Sequence, residues 1–163
     1  MPIVSADKSF MLEHEPQIMN GLAIKIADSS SELPQVYRIR YLVFQIEQGV
    51  DPALEFDDKE AESKHILAYW QGNPVGTARI RMLNAQTGKV ERVAVLPEAR
   101  GLGIGKKLME KAIEFLETVN AVEVQINAQE QVRDFYQKLG FEPEGAVFEE
   151  AGIPHVKMRK LLR

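Results

Sequence analysis

Arg100-Gly101-Leu102-Gly103-Ile104-Gly105-Lys106-Lys107 is the stretch of this chain whose residue types and spacing most plainly do chemistry. It follows an apolar run, Val90 to Leu96, that ends at Pro97, and it opens directly into a segment with helical patterning. A glycine-rich loop running into a helix presents unpaired backbone N–H groups at the positive end of the helix dipole, which suits a phosphate group. Arg100, Lys106 and Lys107 add positive charge at the same place. Cations in a first helical turn work against the macrodipole, so their presence points to an anion. The competing reading is a turn with solvated lysines.

The elements that must position this loop are legible from patterning. Leu22 to Ala27 alternates as a strand. Ser29–Ser31 offers N-caps for a helix carrying Leu33, Val36, Tyr37, Ile39, Arg40, Val43 and Phe44 at helical spacing. Gln48 to Glu62 reads as a long acidic loop, its Glu55–Glu62 part solvated and able to attract a cationic amine. His65–Trp70 and Val75–Met82 flank Gln71–Gly72–Asn73–Pro74, which has the chemistry of a hairpin turn. Asn84 to Gly88 is a further turn and Val90 to Leu96 a strand. After the glycines, Leu108, Ala112, Phe115, Leu116 and Val119 make one helical face. Ala121 to Asn127 alternates again, Gln131 to Leu139 is a short helix stopped by Gly140, and two strands close the chain. The order β-α-β-β-β-α-β-α-β-β predicts an α/β (α+β) fold: a mixed, mostly antiparallel sheet of six to seven strands with helices on both faces. Residues 1–20 read as an N-terminal extension and 21–163 as one domain.

Composition narrows the class. The chain has 163 residues, 45% of them hydrophobic, enough for one sizeable core. A net charge of −4 argues against nucleic-acid binding through bulk charge. No apolar run approaches the roughly 20 residues that span a bilayer, and the N-terminus lacks the pattern of a secretory signal. There is no cysteine, so no disulfide, thiolate ligand or cysteine nucleophile. Three scattered histidines, His14, His65 and His155, do not make a metal site. The expectation is a cytoplasmic protein with no metal, no membrane contact and no nucleic-acid partner.

Two motifs together carry a resemblance. Arg100-Gly101-Leu102-Gly103-Ile104-Gly105 sits between a strand and a helix; further on, Asn127 is followed by Phe135-Tyr136-Gln137-Lys138-Leu139-Gly140-Phe141. Over residues 22–163 the chain resembles the GNAT superfamily of acyl-CoA-dependent N-acyltransferases, and within it a small bacterial subgroup. To that subgroup belong Val43-Phe44, Glu47-Gln48, the acidic loop, His65 and Glu150-Ala151-Gly152-Ile153-Pro154-His155. The resemblance implies acetyl-CoA as cosubstrate, a small-molecule or protein amine as acceptor, and a homodimer. Val93, Ala94 and Val95 would hold the pantetheine arm by backbone hydrogen bonds, on a strand splayed from Val122–Asn127. Backbone N–H groups across Arg100, Gly101, Leu102, Gly103, Ile104, Gly105 and Lys106 would cradle the pyrophosphate. Asn127 would bond the pantetheine, and Tyr136 would face the sulfur as general acid.

N-acyl transfer also needs an oxyanion donor, here a backbone N–H near Val95, and a base or water chain to take the amine proton. Glu91, Glu47, His65, Glu149 and His155 are the base candidates, each with a plain alternative as a solvated carboxylate or a hydrogen-bonded structural histidine. A dinucleotide fingerprint starting at Gly101 would need glycine at Lys106, and no P-loop sequence exists. Acyl-homoserine lactone synthases share Arg40-x-x-Val43-Phe44 and an acidic loop, but lack the glycine loop. A non-catalytic acyl-CoA-binding module on the same fold is the reading from a different class.

Overall fold

A computed structural model describes residues 17–162, which build one sheet with helices on its two faces. The strands are β1 (Gln17–Met19), β2 (Leu22–Ile26), β3 (Lys64–Trp70), β4 (Asn73–Met82), β5 (Thr87–Val95), β6 (Glu123–Gln129), β7 (Glu142–Glu150) and β8 (Ile153–Leu161). Their spatial order is β1-β2-β3-β4-β5-β6-β8-β7. Every pairing is antiparallel except β5 with β6. The mixed sheet agrees with the patterning, with one strand more than expected. Gln17–Met19, assigned from sequence to the extension, pair with Leu22–Ile24. The remainder of that extension lies outside the described residues.

The helices are α1 (Leu33–Arg40), α2 (Pro52–Glu55), α3 (Ile104–Thr118) and α4 (Arg133–Lys138). α1 continues without a break into a π-helical stretch, Tyr41–Glu47, that sequence periodicity did not announce. Such wide turns gather at functional sites. The serines before α1 do not cap it. Glu32 holds the N-cap position, and the Asp28 carboxylate accepts from the Ser30 N–H in a preceding turn.

α3 packs on one face of the sheet, and its fit has a local cause. Gly88 of β5 lies so close to Leu116 that an added Cβ would sit 2.3 Å from Leu116 Cδ2. Leu108, Met109, Ala112 and Leu116 of α3 are fully enclosed there. α1 covers the opposite face with Val36 and Ile39, both fully buried. Because Cβ directions alternate along a strand, Val90 joins the α3 side, while Lys89 and Glu91 turn to the α1 side.

Two irregularities open the molecule. Parallel pairing between β5 and β6 covers only Thr87↔Glu123, Gly88↔Val124 and Lys89↔Gln125; beyond it the strands diverge. Within β5, the register against β4 slips between Thr77↔Ala94 and Arg79↔Glu91, and Arg92 there has φ +54°. A bulge of this kind turns two consecutive side chains to one face. At the far edge, β7 pairs only with β8 among the described residues, is almost wholly exposed, and carries Glu142, Glu144, Glu149 and Glu150. Among the described residues no helix is long and apolar enough to cross a membrane.

Candidate functional site

The divergence of β5 from β6 opens a cavity of about 800 Å³. It is walled by the second half of β5, the glycine loop, the start of α3, β6, α4 and the π-helical end of α1.

Along β5 the free edge is set by hydrogen-bond alternation. The Leu96 N–H donates to the Val75 carbonyl at 2.8 Å. The neighbouring Val95 N–H and C=O therefore face the opposite edge, toward the divergence. Arg100 Nε already donates to that Val95 carbonyl at 3.0 Å. Among the described residues no strand partners Val93 or Val95 on this side, so their edge is open to an extended ligand.

The glycine loop ends in left-handed backbone at Gly101 (φ +82°) and Gly103 (φ +80°), conformations that suit glycine. A Cβ built at either meets no protein atom within 4 Å. Gly103 caps α3 with no side-chain acceptor for the first turn. The N–H groups of Gly103, Ile104, Gly105 and Lys106 have no backbone acceptor among the described residues. Four orphan donors above open space fit an anion, the role foreseen for this loop. The cavity takes in Val93, Ala94, Val95, Arg100, Gly101, Gly103, Ile104, Gly105, Lys106, Asn127 and Tyr136. Leu102 is the exception, half-exposed and outside the lining.

Tyr136 is fixed from below. α4 ends at Lys138, and Gly140 at φ +93° lets its own N–H reach the Gln137 carbonyl and the Phe141 N–H reach the Tyr136 carbonyl. This terminator locks the last turn of the helix. The Tyr136 ring meets Phe135 and Phe141 edge-on. Burial pushes its phenol up to about 12, and no protein group among the described residues hydrogen-bonds it. A protonated, unspent donor thus faces the cavity.

The base candidates separate clearly. His155 lines the cavity, with Nδ1 2.7 Å from the Ile153 carbonyl and Nε2 3.5 Å from Glu150. A carbonyl only accepts, so Nδ1 carries a proton and proton exchange with a substrate falls to Nε2. Glu47 lines the cavity but is clamped by Arg100 through both carboxylate oxygens, at 2.7 and 2.5 Å, which holds its carboxyl below the usual range. Glu91 lines it too. Burial works to raise its carboxyl, but hydrogen bonding from Arg81 and the Arg79 charge prevail and lower it. Glu149 is outside the lining. His65 is also elsewhere, beneath α1, edge-on to Tyr37 and pushed down to about 4 by burial.

His65 borders the feature that sequence reading missed. Arg40 and Arg79, both fully buried, are joined by Glu60, which accepts from Arg40 at 2.8 and 2.9 Å and from Arg79 at 2.6 Å. Arg40 also donates to buried Glu55 at 2.5 Å, and Arg79 to Asp57 at 2.8 and 2.9 Å. The bulge brings Arg92 to the Glu55 carbonyl beside Glu91. The supposed acidic loop is therefore only partly a free acidic surface, with Asp51, Asp58 and Glu62 left exposed. Glu55, Asp57 and Glu60 turn inward because two buried guanidiniums need partners. The one sequence signal was Arg40 lying within the apolar stripe of its helix.

The family described as the acetyltransferase (GNAT) domain matches residues 43–162. The chain belongs to the GNAT acetyltransferase family. An uncharacterized N-acetyltransferase of Bacillus subtilis (strain 168) is 37% identical over 136 residues, covering 83% of this chain and 96% of that one. Protein ElaA of Escherichia coli is 34% identical over 137 residues, covering 81% of this chain and 89% of its own. The ElaA crystal structure superposes with a TM-score of 0.75, at 29% identity, over 85% of this chain and 99% of that one. A GNAT acetyltransferase from Elizabethkingia anophelis with acetyl-CoA bound shares the fold, with a TM-score of 0.69 at 18% identity over 88% and 100% of the two chains. This GNAT chain is accordingly an acyltransferase, as the paired motifs implied.

Proposed function

We propose that the chain transfers an acetyl group from acetyl-CoA to a primary amine by direct attack in a ternary complex, with Tyr136 as general acid and His155 as base. The observation that carries this reading is one cavity bounded by an anion cradle at residues 103–106 and an unspent phenol at Tyr136. Bound acetyl-CoA would supply an activated acyl thioester, its phosphates on the cradle and its arm along Val93–Val95. Asn127, whose amide donates to Glu150 at 3.3 Å, lies on the β6 side of that arm. A family neighbour holding acetyl-CoA on the same fold supports the cosubstrate.

The residues divide the proton work. His155 Nε2 takes the proton of the incoming ammonium, leaving an amine lone pair to attack. The Val95 N–H meets the charge that develops on the carbonyl oxygen. Tyr136 gives its proton to the departing sulfur as the C–S bond breaks and recovers one from the newly bonded nitrogen, which sheds its extra proton to become an amide; burial keeps the phenol protonated across neutral pH. Calorimetric titration with acetyl-CoA, followed by thiol release against a pooled amine panel, tests the reading. Binding with release is the expected result. Binding without release would favour a non-catalytic acyl-CoA-binding module, and no binding would refute the proposal.

A further inference from the structure

Four residues upstream of Val93 on β5, the cavity floor gathers positive charge around one overcommitted carboxylate. Arg81 and Lys89 are direct partners across β4 and β5, so their side chains share a face, and Arg79 and Glu91 form the next pair on that face. Glu91 accepts from Arg81 Nε at 2.5 Å and lies 3.0 Å from Arg79, 3.8 Å from Lys89 and 3.9 Å from Arg92. Four cations thus converge on a single negative group. Arg79 and Arg92 have further carboxylates or carbonyls in the buried network. Arg81 and Lys89 do not. The two terminal nitrogens of Arg81 have no hydrogen-bond acceptor among the described residues, and Lys89 has only the distant Glu91. Their side chains are 16% and 18% exposed, facing the cavity rather than bulk water.

A planar guanidinium with its outer donors unused, beside an ammonium on an enclosed floor, matches a carboxylate. Taking the acetyl-transfer reading as its basis, we infer that the acceptor is an amine that also bears a carboxylate, and that Arg81 and Lys89 hold that carboxylate while the amine reaches the thioester. The strand sets the spacing. Lys89 lies four residues before Val93 and six before Val95, with the bulge at Arg92 between, so more than about 10 Å separates its Cα from the reacting end. Lys89 is level with Gln125 on β6, and the same four residues along β6 lead to Gln129, which pairs with His155. The base therefore stands at the thioester end and the cation pair at the other. An α-amino group is too close to its own carboxylate to bridge that gap. The acceptor is an amino acid whose reacting amine is remote, of the ω-amino or lysine side-chain kind. The acids of the loop that lie nearest the cavity do not argue for a cationic acceptor, since Arg40, Arg79 and Arg92 neutralise Glu55, Asp57 and Glu60, and the exposed Asp51, Asp58 and Glu62 are outside the lining.

The test compares 6-aminohexanoate, 6-aminohexanamide, hexane-1,6-diamine and glycine as acceptors in a thiol-release assay, with acetyl-CoA binding measured separately on each protein. The carboxylate acceptor is expected to exceed its amide by about tenfold in kcat/KM, the worth of one charge-assisted pair at an enclosed site. Lys89→Gln and Arg81→Gln should each bring that ratio close to one by raising KM for 6-aminohexanoate alone, with acetyl-CoA affinity preserved. Lys89→Gln breaks no side-chain hydrogen bond among the described residues, so it keeps the test valid if Arg81→Gln does not fold. A protein that fails to bind acetyl-CoA would overturn the acetyl-transfer reading instead. Binding with equal use of acid and amide, with preference for the diamine or glycine, or with no turnover of any of the four, would overturn this inference.

Discussion

Replacing Tyr136 by phenylalanine removes one oxygen from a place where its loss can be read cleanly. That hydroxyl has no hydrogen-bond partner among the described residues, while its ring contacts with Phe135 and Phe141 persist in the variant. No buried partner is orphaned, so stability should change by no more than about 0.5 kcal/mol. Catalysis should respond very differently. A positioned proton donor contributes roughly 10²- to 10⁴-fold, and a loss of about 10² corresponds to about 2.7 kcal/mol of transition-state stabilisation. The arm and phosphate contacts are backbone groups distant from the phenol, so acetyl-CoA affinity should hold. The assay is thiol release at saturating acetyl-CoA, with binding by calorimetry and unfolding by urea on the same preparations. An acetyl thioester of an acidic aryl thiol adds a second readout, because its leaving group departs without a proton and should restore most of the lost rate. A kcat within about threefold of the parent, below the smallest effect expected of a general acid, would refute the assignment. So would a kcat loss that the aryl thioester leaves untouched.

Three further outcomes follow from features of the site and its support. Gly103→Ala places a side chain in left-handed backbone, a strain of about 1–2 kcal/mol, and points it at the anion cradle; calorimetry should show acetyl-CoA affinity falling by at least about tenfold. Glu60→Gln leaves Arg40 and Arg79 short of their shared charge, and urea unfolding should record a loss of about 3 kcal/mol. His65, depressed to about 4 from 6.5, is neutral when folded and more readily protonated when unfolded. Its contribution, at most about 3 kcal/mol, is complete above pH 6.5 and lost as pH falls toward 4. Asp57, Glu60 and Glu91, also held low, add their own losses only at more acid pH. His65→Leu, which breaks no hydrogen bond because neither ring nitrogen makes one, should flatten the unfolding profile between pH 6.5 and 4.5.

What could be seen in the sequence was what depends on neighbours along the chain. The glycine loop was legible because left-handed turns and an uncapped helix start are written in consecutive residues, Arg100 to Lys107. The last turn of α4 was legible for the same reason, through Gly140. The ionic network was not, because Arg40, Glu55, Glu60, Arg79 and Arg92 come from separate elements and meet only once α1 lies on the sheet. In isolation each reads as a solvated charge, and Arg79 takes the position of an outward residue in an alternating strand. His155 and His65 looked equivalent as bases, and only the register of β6 against β8 places one at the cavity. The bulge at Arg92 leaves no mark in the residue types around it, and it is what aims Arg92 at the Glu55 carbonyl.

The outermost strand, β7, bears on how copies of the chain behave toward each other. Its outer side has no strand partner among the described residues, and such an edge is a template on which another strand can add. Glu142, Glu144, Glu149 and Glu150 make that template repulsive to itself, since two copies meeting edge to edge would bring like charges together. The protection is electrical, so it weakens with ionic strength as the screening length falls to about 3 Å near 1 M salt. The edge is therefore expected to keep copies apart in dilute buffer and to do so less well in concentrated salt.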